Sequence, residues 1–306
     1  MPEGNAPAMQ SGGGAAPAPA PKVALVLGSG GIKTIASLGL FRVLVREKIP
    51  VDLIVASSGG SLFATSYALY PGELEKIEGF LWSYWKPEIF RDFDYSGLLI
   101  SLLRPRKRGV EKFGLIKGKR ILRNIHAMFP DKTFADTKIP LRIVATDIRV
   151  GRPVILKEGN VARAVRASIS LPLYMRPVRW GEALLVDGGM TNPIPCDVAI
   201  AEGADVIVSM SFGSSLETPL TSPVRLLNQL VRVSASNLLR VHGELHRFQH
   251  KGEIVEIYPS FEHVHSFFNF HTMEEIIARG EEASEAALPR IRAALREAAT
   301  APASSR

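Results

Sequence analysis

The chain has 306 residues, 46% of them hydrophobic, one cysteine and a formal net charge of +7, enough apolar material for the core of one large domain. A single cysteine, Cys196, excludes an intramolecular disulfide and any cysteine-rich metal cluster. No apolar run approaches the ~20 residues of a spanning helix and no basic region precedes an apolar core at the N-terminus, so a soluble, cytoplasmic protein is expected, with signal-free export left open.

Residues 1–21 are rich in Gly, Ala and Pro with almost no large apolar side chains, so they cannot offset their ordering entropy and are expected to be disordered. The folded domain is expected over 22–306, ending in a helical extension. Apolar runs alternate with helical patterns from Lys22 onward: strand Val23–Leu27, helix Ile35–Arg46, strand Leu53–Ser57, helix Gly59–Leu69. This rhythm predicts an α/β fold of three layers, with helices on both faces of a mostly parallel central sheet. Further strands are expected at Leu141–Thr146, Val154–Leu156, Leu184–Val186, Val206–Met210 and Ile254–Tyr258. Thr272 with Glu275 reads as a capping box for a long C-terminal helix, which Pro289 should kink or divide.

The first strand runs into clustered glycines, VALVLGSGGIKT. Backbone N–H groups gathered at such a turn bind negative charge. A P-loop would need glycine immediately before Lys33 and again six residues before it, where the chain has Ile32 and Leu27. A dinucleotide fingerprint begins with Gly28 and Gly30 but puts Lys33 at its third glycine, and the second strand ends in Ala56-Ser57-Ser58 without a ribose-binding acid. An oxyanion site remains, which requires a nucleophile. The second strand supplies one: in IVASSGGSLFA, Ser58 stands at a strand-to-helix turn with Ala56 two residues before and Gly60 two after, one methyl group from a G-x-S-x-G elbow. A base can come from LLVDGGMTNPIP, where Asp187 directly follows a short apolar strand. Taken alone, Asp187 reads better as a turn aspartate bonding its own backbone; the glycine-rich anion site, the serine elbow and this carboxylate turn in chain order favour the base.

These stretches together resemble the patatin-like phospholipases. Gly28-Ser29-Gly30-Gly31-Ile32-Lys33-Thr34 is similar to the family's G-G-G-x-R/K-G oxyanion loop, Ala56-Ser57-Ser58-Gly59-Gly60 to its G-x-S-x-G elbow and Asp187-Gly188-Gly189 to its D-G-G/A turn. Ala167-Ser168-Ile169-Ser170-Leu171-Pro172, trailed by Arg176-Pro177-Val178, resembles its A-S-x-x-x-P segment, and Ala145-Thr146-Asp147 a recurring strand end. The likeness covers roughly Lys22 to Gly213. It implies a patatin-like α/β/α fold and a lipid acyl hydrolase working through a Ser58–Asp187 dyad, without metal or other cofactor. Gly30, Gly31 and Ile32 would form the oxyanion hole, and Gly28, Gly60, Gly188 and Gly189 would support the loops. Lys33 would orient the oxyanion loop or face a lipid phosphate. Two positions depart from the pattern, Ala56 for the elbow's first glycine and Thr34 for the glycine after the basic residue, and each adds bulk where backbone packs closely.

Two other readings stay open. An α/β-hydrolase with a Ser-His-Asp triad could draw its histidine from His263, His265 or His271, all downstream of Asp187. A lipid-binding descendant that no longer hydrolyses anything is the second. Between Ser101 and Ile125 nine cations face one anion, a net of nine minus one, or +8, and the first of them, Arg104, directly follows the short apolar run Tyr95–Leu103. An apolar stretch abutting a polybasic one suits peripheral contact with anionic membrane through residues 98–123. Few aromatics interleave the cations, which argues against nucleic acid. His242, His246 and His250 read as a half-exposed helical stripe rather than metal ligands, Phe267, Phe268 and Phe270 as core, and Cys196 as structural.

Overall fold

The computed structural model describes residues 20–84, 114–213, 219, 221, 223–261 and 272–301. The expected tail therefore falls almost wholly outside the described residues, as do residues 98–113 of the basic stretch, the three downstream histidines and the Phe267–Phe270 group. In chain order the strands are β1 (Val23–Leu27), β2 (Leu53–Ser57), β3 (Leu141–Asp147), β4 (Arg152–Leu156), β5 (Val178–Trp180), β6 (Ala183–Asp187), β7 (Val206–Met210) and β8 (Glu253–Ile257). The helices are α1 (Ser37–Arg46), α2 (Gly60–Leu69), α3 (Leu74–Tyr84), α4 (Lys119–Met128), α5 (Val161–Ser168), α6 (Cys196–Ala201), α7 (Pro223–Gln249) and α8 (Met273–Thr300).

The strands form one sheet in the order β5-β6-β3-β2-β1-β7-β8, with β4 also paired to β3. Pairings among β1, β2, β3, β7 and β8 are parallel, whereas β4 and β6 each pair antiparallel with β3, and β5 pairs antiparallel with β6. The central strands read as unbroken apolar runs because both their faces are covered. Leu25, Leu27, Ile54, Ala56, Ile143 and Val208 point into one core with α1, α2, α5 and α8, while Ala24, Val26, Val55 and Ile207 point into a second with α6.

Close backbone approach locks α1 to α8. A Cβ at Gly39 would lie 2.2 Å from the Glu281 nitrogen, and one at Gly280 would lie 2.0 Å from the Ala36 carbonyl oxygen, so only glycine permits this crossing. Two expectations for α8, its capping box and its division at Pro289, need correction. Thr272 occupies the N-cap position but makes no side-chain cap hydrogen bond, so the capping box does not form, and its backbone (φ −104°, ψ 18°) lacks the extended conformation that such a box uses. Pro289 lies inside a helix that continues from Met273 to Thr300 undivided; packing of Ala287, Ile291 and Ala294 against the sheet outweighs one missing N–H. No helix among the described residues is long and apolar enough to cross a membrane.

The register of β3 positions the site. Its N-terminal half pairs with β2, ending at Ser57↔Val144, and the next residue begins the pairing with β6, Ala145↔Asp187. Because β4 pairs across both halves, from Ile143 to Asp147, it holds the opposite edge, and β2 and β6 share the other one. Two strands running in opposite directions thus end head to head at neighbouring positions of β3. The residue after β2 is Ser58 and the last of β6 is Asp187.

Candidate active site

Ser58 has φ +51°, a left-handed conformation that is uncommon outside glycine and strained. Surrounding hydrogen bonds hold it there. The Ser58 N–H donates to Ser168 Oγ at 2.8 Å, and Ser168 Oγ donates in turn to the Val144 carbonyl at 2.6 Å. The Ser58 carbonyl accepts from Ser61 N at 2.9 Å and from Ser61 Oγ at 2.6 Å, which ties the turn to the first residues of α2. Gly60 is required for closeness: a Cβ there would lie 2.5 Å from the Gly28 carbonyl oxygen, so the elbow rests on the glycine loop itself. Gly188 plays the matching part under β6, with its Cβ position 2.2 Å from the Val144 carbonyl oxygen.

Ser58 Oγ donates to Asp187 Oδ2 at 2.6 Å, and Asp187 Oδ1 accepts the Gly189 N–H at 2.8 Å. The two readings of Asp187 therefore coexist in one side chain, with one oxygen closing a local turn and the other reaching the serine. Asp187 N donates to the Ser170 carbonyl at 3.0 Å, and its carbonyl accepts from Thr146 Oγ1 at 2.8 Å, so the backbone is fixed on both sides. Both residues are buried. Burial pushes the Asp187 carboxyl up to about 6, against the opposing bonds from Ser58 and Gly189.

After β1 the chain turns away over the end of β7. Gly28 N donates to the Met210 carbonyl at 3.0 Å and Ser29 N to the Pro193 carbonyl at 2.8 Å. A 3-10 turn then spans Gly31–Ala36, its first bond running from Lys33 N to the Gly30 carbonyl. The N–H groups of Gly30, Gly31 and Ile32 make no hydrogen bond among the described residues, since the first donors of a helical turn have no partner within it. Thr34 Oγ1 donates to the Gly31 carbonyl at 2.7 Å and holds that peptide plane. The departure at Thr34 thus braces the loop, and the departure at Ala56 is accommodated because its methyl faces the main core.

Gly30, Gly31, Ile32, Ser58, Asp187 and Gly189 line one cavity of about 210 Å³. Its apolar wall includes Leu62, Phe63, Ile116, Leu171, Tyr174 and Met175, and α7 adds Val231, Arg232 and Ala235. Lys33 is not among the lining residues. Its ammonium sits 5.3 Å from the centre of the Phe261 ring, and burial, with the nearby Arg232 charge, holds its pKa below the ordinary lysine value.

Sequence reading gave no role to two contributors, of which Ser168 lies in the A-S-x-x-x-P-like segment and Arg166 just before it. Ser168 carries the elbow's N–H, and Arg166 donates to Ser170 Oγ and to the Arg176 carbonyl at 3.1 Å, tying together segments that reach the cavity wall. Both belong to α5 and its exit, and only the tertiary pairing of β2 with β3 shows what Ser168 does. Of the helical histidines, His246 is buried rather than half-exposed, 3.7 Å from Asp197, and no group of metal-binding residues occurs among the described residues. Cys196 is buried and burial pushes its thiol far up, which makes it inert. The described end of the basic stretch forms α4, with Lys119, Arg120 and Arg123 exposed and Ile121, Ile125 and Met128 buried.

Residues 25–200 match the patatin-like phospholipase family. Patatin-like phospholipase domain-containing protein 6 of Homo sapiens is 32% identical over 204 residues, which cover 65% of this chain and 14% of that protein. An uncharacterized NTE family protein of Mycobacterium tuberculosis is 27% identical over 221 residues, covering 71% of this chain and 57% of that one. The chain thus spans about a seventh of the length of the mammalian relatives. Among solved structures, VipD from Legionella pneumophila superposes with a TM-score of 0.49 at 13% identity, over 89% of this chain and 67% of that chain. Since the family match alone takes in more than half of its residues, the chain belongs to the patatin-like phospholipase family.

Proposed function

We propose that the protein is a serine lipid acyl hydrolase that cleaves carboxylic esters of phospholipids or acylglycerols through an acyl-enzyme on Ser58. The observation that carries this is the 2.6 Å bond from Ser58 Oγ to Asp187 Oδ2 inside an apolar cavity. Asp187 takes the hydroxyl proton as Oγ bonds to the ester carbonyl carbon. The carbonyl electrons move onto oxygen, and N–H groups of Gly30, Gly31 and Ile32 stabilise that charge. The tetrahedral species collapses, the ester C–O bond breaks, and the Asp187 proton passes to the departing alkoxide. Water then attacks the acyl carbon with Asp187 again as base, and Ser58 is regenerated.

A carboxylate held near 6 is a stronger base than one at its ordinary value, which favours a proton transfer that histidine performs in triads. Both Asp187 oxygens are engaged, by Ser58 and Gly189, and Ser58 Oγ donates to the carboxylate directly. This favours a dyad over a triad. The apolar wall from Leu62 to Met175 suits an acyl chain.

Hydrolysis of a soluble short-chain ester and of phospholipid vesicles by the unmodified chain, Ser58→Ala and Asp187→Asn tests the proposal. Turnover by the first, with losses of roughly 10³-fold or more in each variant at unchanged folding, is the expected result. No turnover on either substrate, or Ser58→Ala matching the unmodified chain, favours the descendant that has left catalysis behind.

A further inference from the structure

The long helix α7 has two opposed faces. Arg232, Leu239 and His246, spaced seven residues apart, face the body: Arg232 and His246 are buried, and Leu239 packs on the second core. On the other side Leu226, Leu230, Val233, Val241, Leu245 and Phe248 are all exposed, Phe248 by 90%. At about 100° per residue these six fall within a sector of about 120° that points away from the packed side. Single exposed apolar residues are ordinary, but six on one line of one helix are not.

From these faces, and resting on the hydrolase reading above, we propose that α7 is the surface by which the protein lies on a lipid membrane. The occupant follows from three features. Val231, Arg232 and Ala235 of this helix form part of the cavity that holds Ser58, so a membrane against the stripe stands about one helix diameter, ~10 Å, from the site. Of the helix's charged residues, Arg225 and Arg240 are exposed beside one exposed anion, Glu244, which lies 3.6 Å from Arg240, in a chain of net charge +7, and anionic headgroups complement that overall charge. Two copies of a chain with net charge +7 repel one another, so charge disfavours a second copy as occupant. Long, basic helices with one apolar face are the kind that rest in the interfacial plane. This places membrane contact on α7, independently of residues 98–123.

The test uses the full chain with Ser58→Ala, so that lipid is not consumed, and flotation with vesicles of equal parts phosphatidylcholine and phosphatidylglycerol. Replacing Leu230 and Phe248 by Glu should weaken vesicle affinity by about tenfold or more for each side chain withdrawn from lipid. Leu230→Ile with Phe248→Leu should retain it, and thermal unfolding serves as the check on folding. Unchanged affinity in the folded glutamate variant overturns the proposal. So does a concentration-dependent dimer that the glutamates dissociate without altering vesicle affinity, because the stripe would then bind a second copy. Soluble-ester turnover by the unmodified chain reports separately on the hydrolase reading: if it is absent while vesicle affinity follows the stripe, the membrane face stands and the catalytic reading falls.

Discussion

Burial at Asp187 has consequences for rate and for stability that run in different directions. Protonated Asp187 cannot accept the serine proton, so kcat/KM for a soluble ester should fall on the acid side with a midpoint near pH 6 rather than near 4. For stability, the folded value lies above the ordinary one, so the native state binds more protons through the window from about 4 to about 6. Stability contributed by the neutral form is present below that window and lost as pH rises through it, leaving a cost of up to about 3 kcal/mol at neutral pH. Asp187→Asn should therefore unfold at higher temperature than the unmodified chain at pH 8, with the difference shrinking toward pH 4, a comparison that thermal denaturation across pH reads directly. Ser168 is the other residue with a defined task. Its hydroxyl satisfies the buried N–H of the strained Ser58, so Ser168→Ala should lower kcat about tenfold with little change in KM, as steady-state kinetics on a soluble ester would show.

At the scale of elements, the α1–α8 crossing tolerates no side chain. Gly39→Ala puts a methyl group against the backbone of Ile277 and Glu281, and it should cost about 1–3 kcal/mol, measured as a lower urea midpoint with ester activity per folded molecule retained. The strands were legible in sequence because each central one is a short, fully apolar run covered on both faces; β1, β2 and β7 occupy the residues expected of them. Of the remaining strands, Val154–Leu156 and Leu184–Val186 were legible as the apolar parts of β4 and β6, whereas β5 was not, because Val178–Trp180 is only three residues long and forms no run that periodicity can separate from a loop. The capping box at Thr272 failed for a related reason, since residue types describe what a terminus could bond and not the backbone angles it adopts. Asp187 and Ser58 could be picked out as candidates from their glycine-flanked turns. That they meet depends on β2 and β6 sharing one edge of β3, a pairing between residues some 130 positions apart.

Across the whole molecule, one sheet edge gathers the parts that the proposed chemistry needs. β1 delivers the glycine loop, β2 the serine and β6 the aspartate, while α5 supplies Ser168 behind them and α7 closes part of the cavity. Chemistry and membrane contact are thus proposed for the two sides of a single helix. The central claim is that Ser58 is activated by Asp187 alone, and a pH profile cannot settle it, because histidine also titrates near 6.5. The decisive measurement is the rate at which a fluorophosphonate labels Ser58, followed by intact mass, in the unmodified chain, in Asp187→Asn and in a variant with His263, His265 and His271 all changed to Gln. The expected result is one adduct on Ser58, loss of labelling by roughly 10³-fold in Asp187→Asn, and an unchanged rate in the histidine variant. Labelling that survives Asp187→Asn, or that disappears with the three histidines, would contradict the claim.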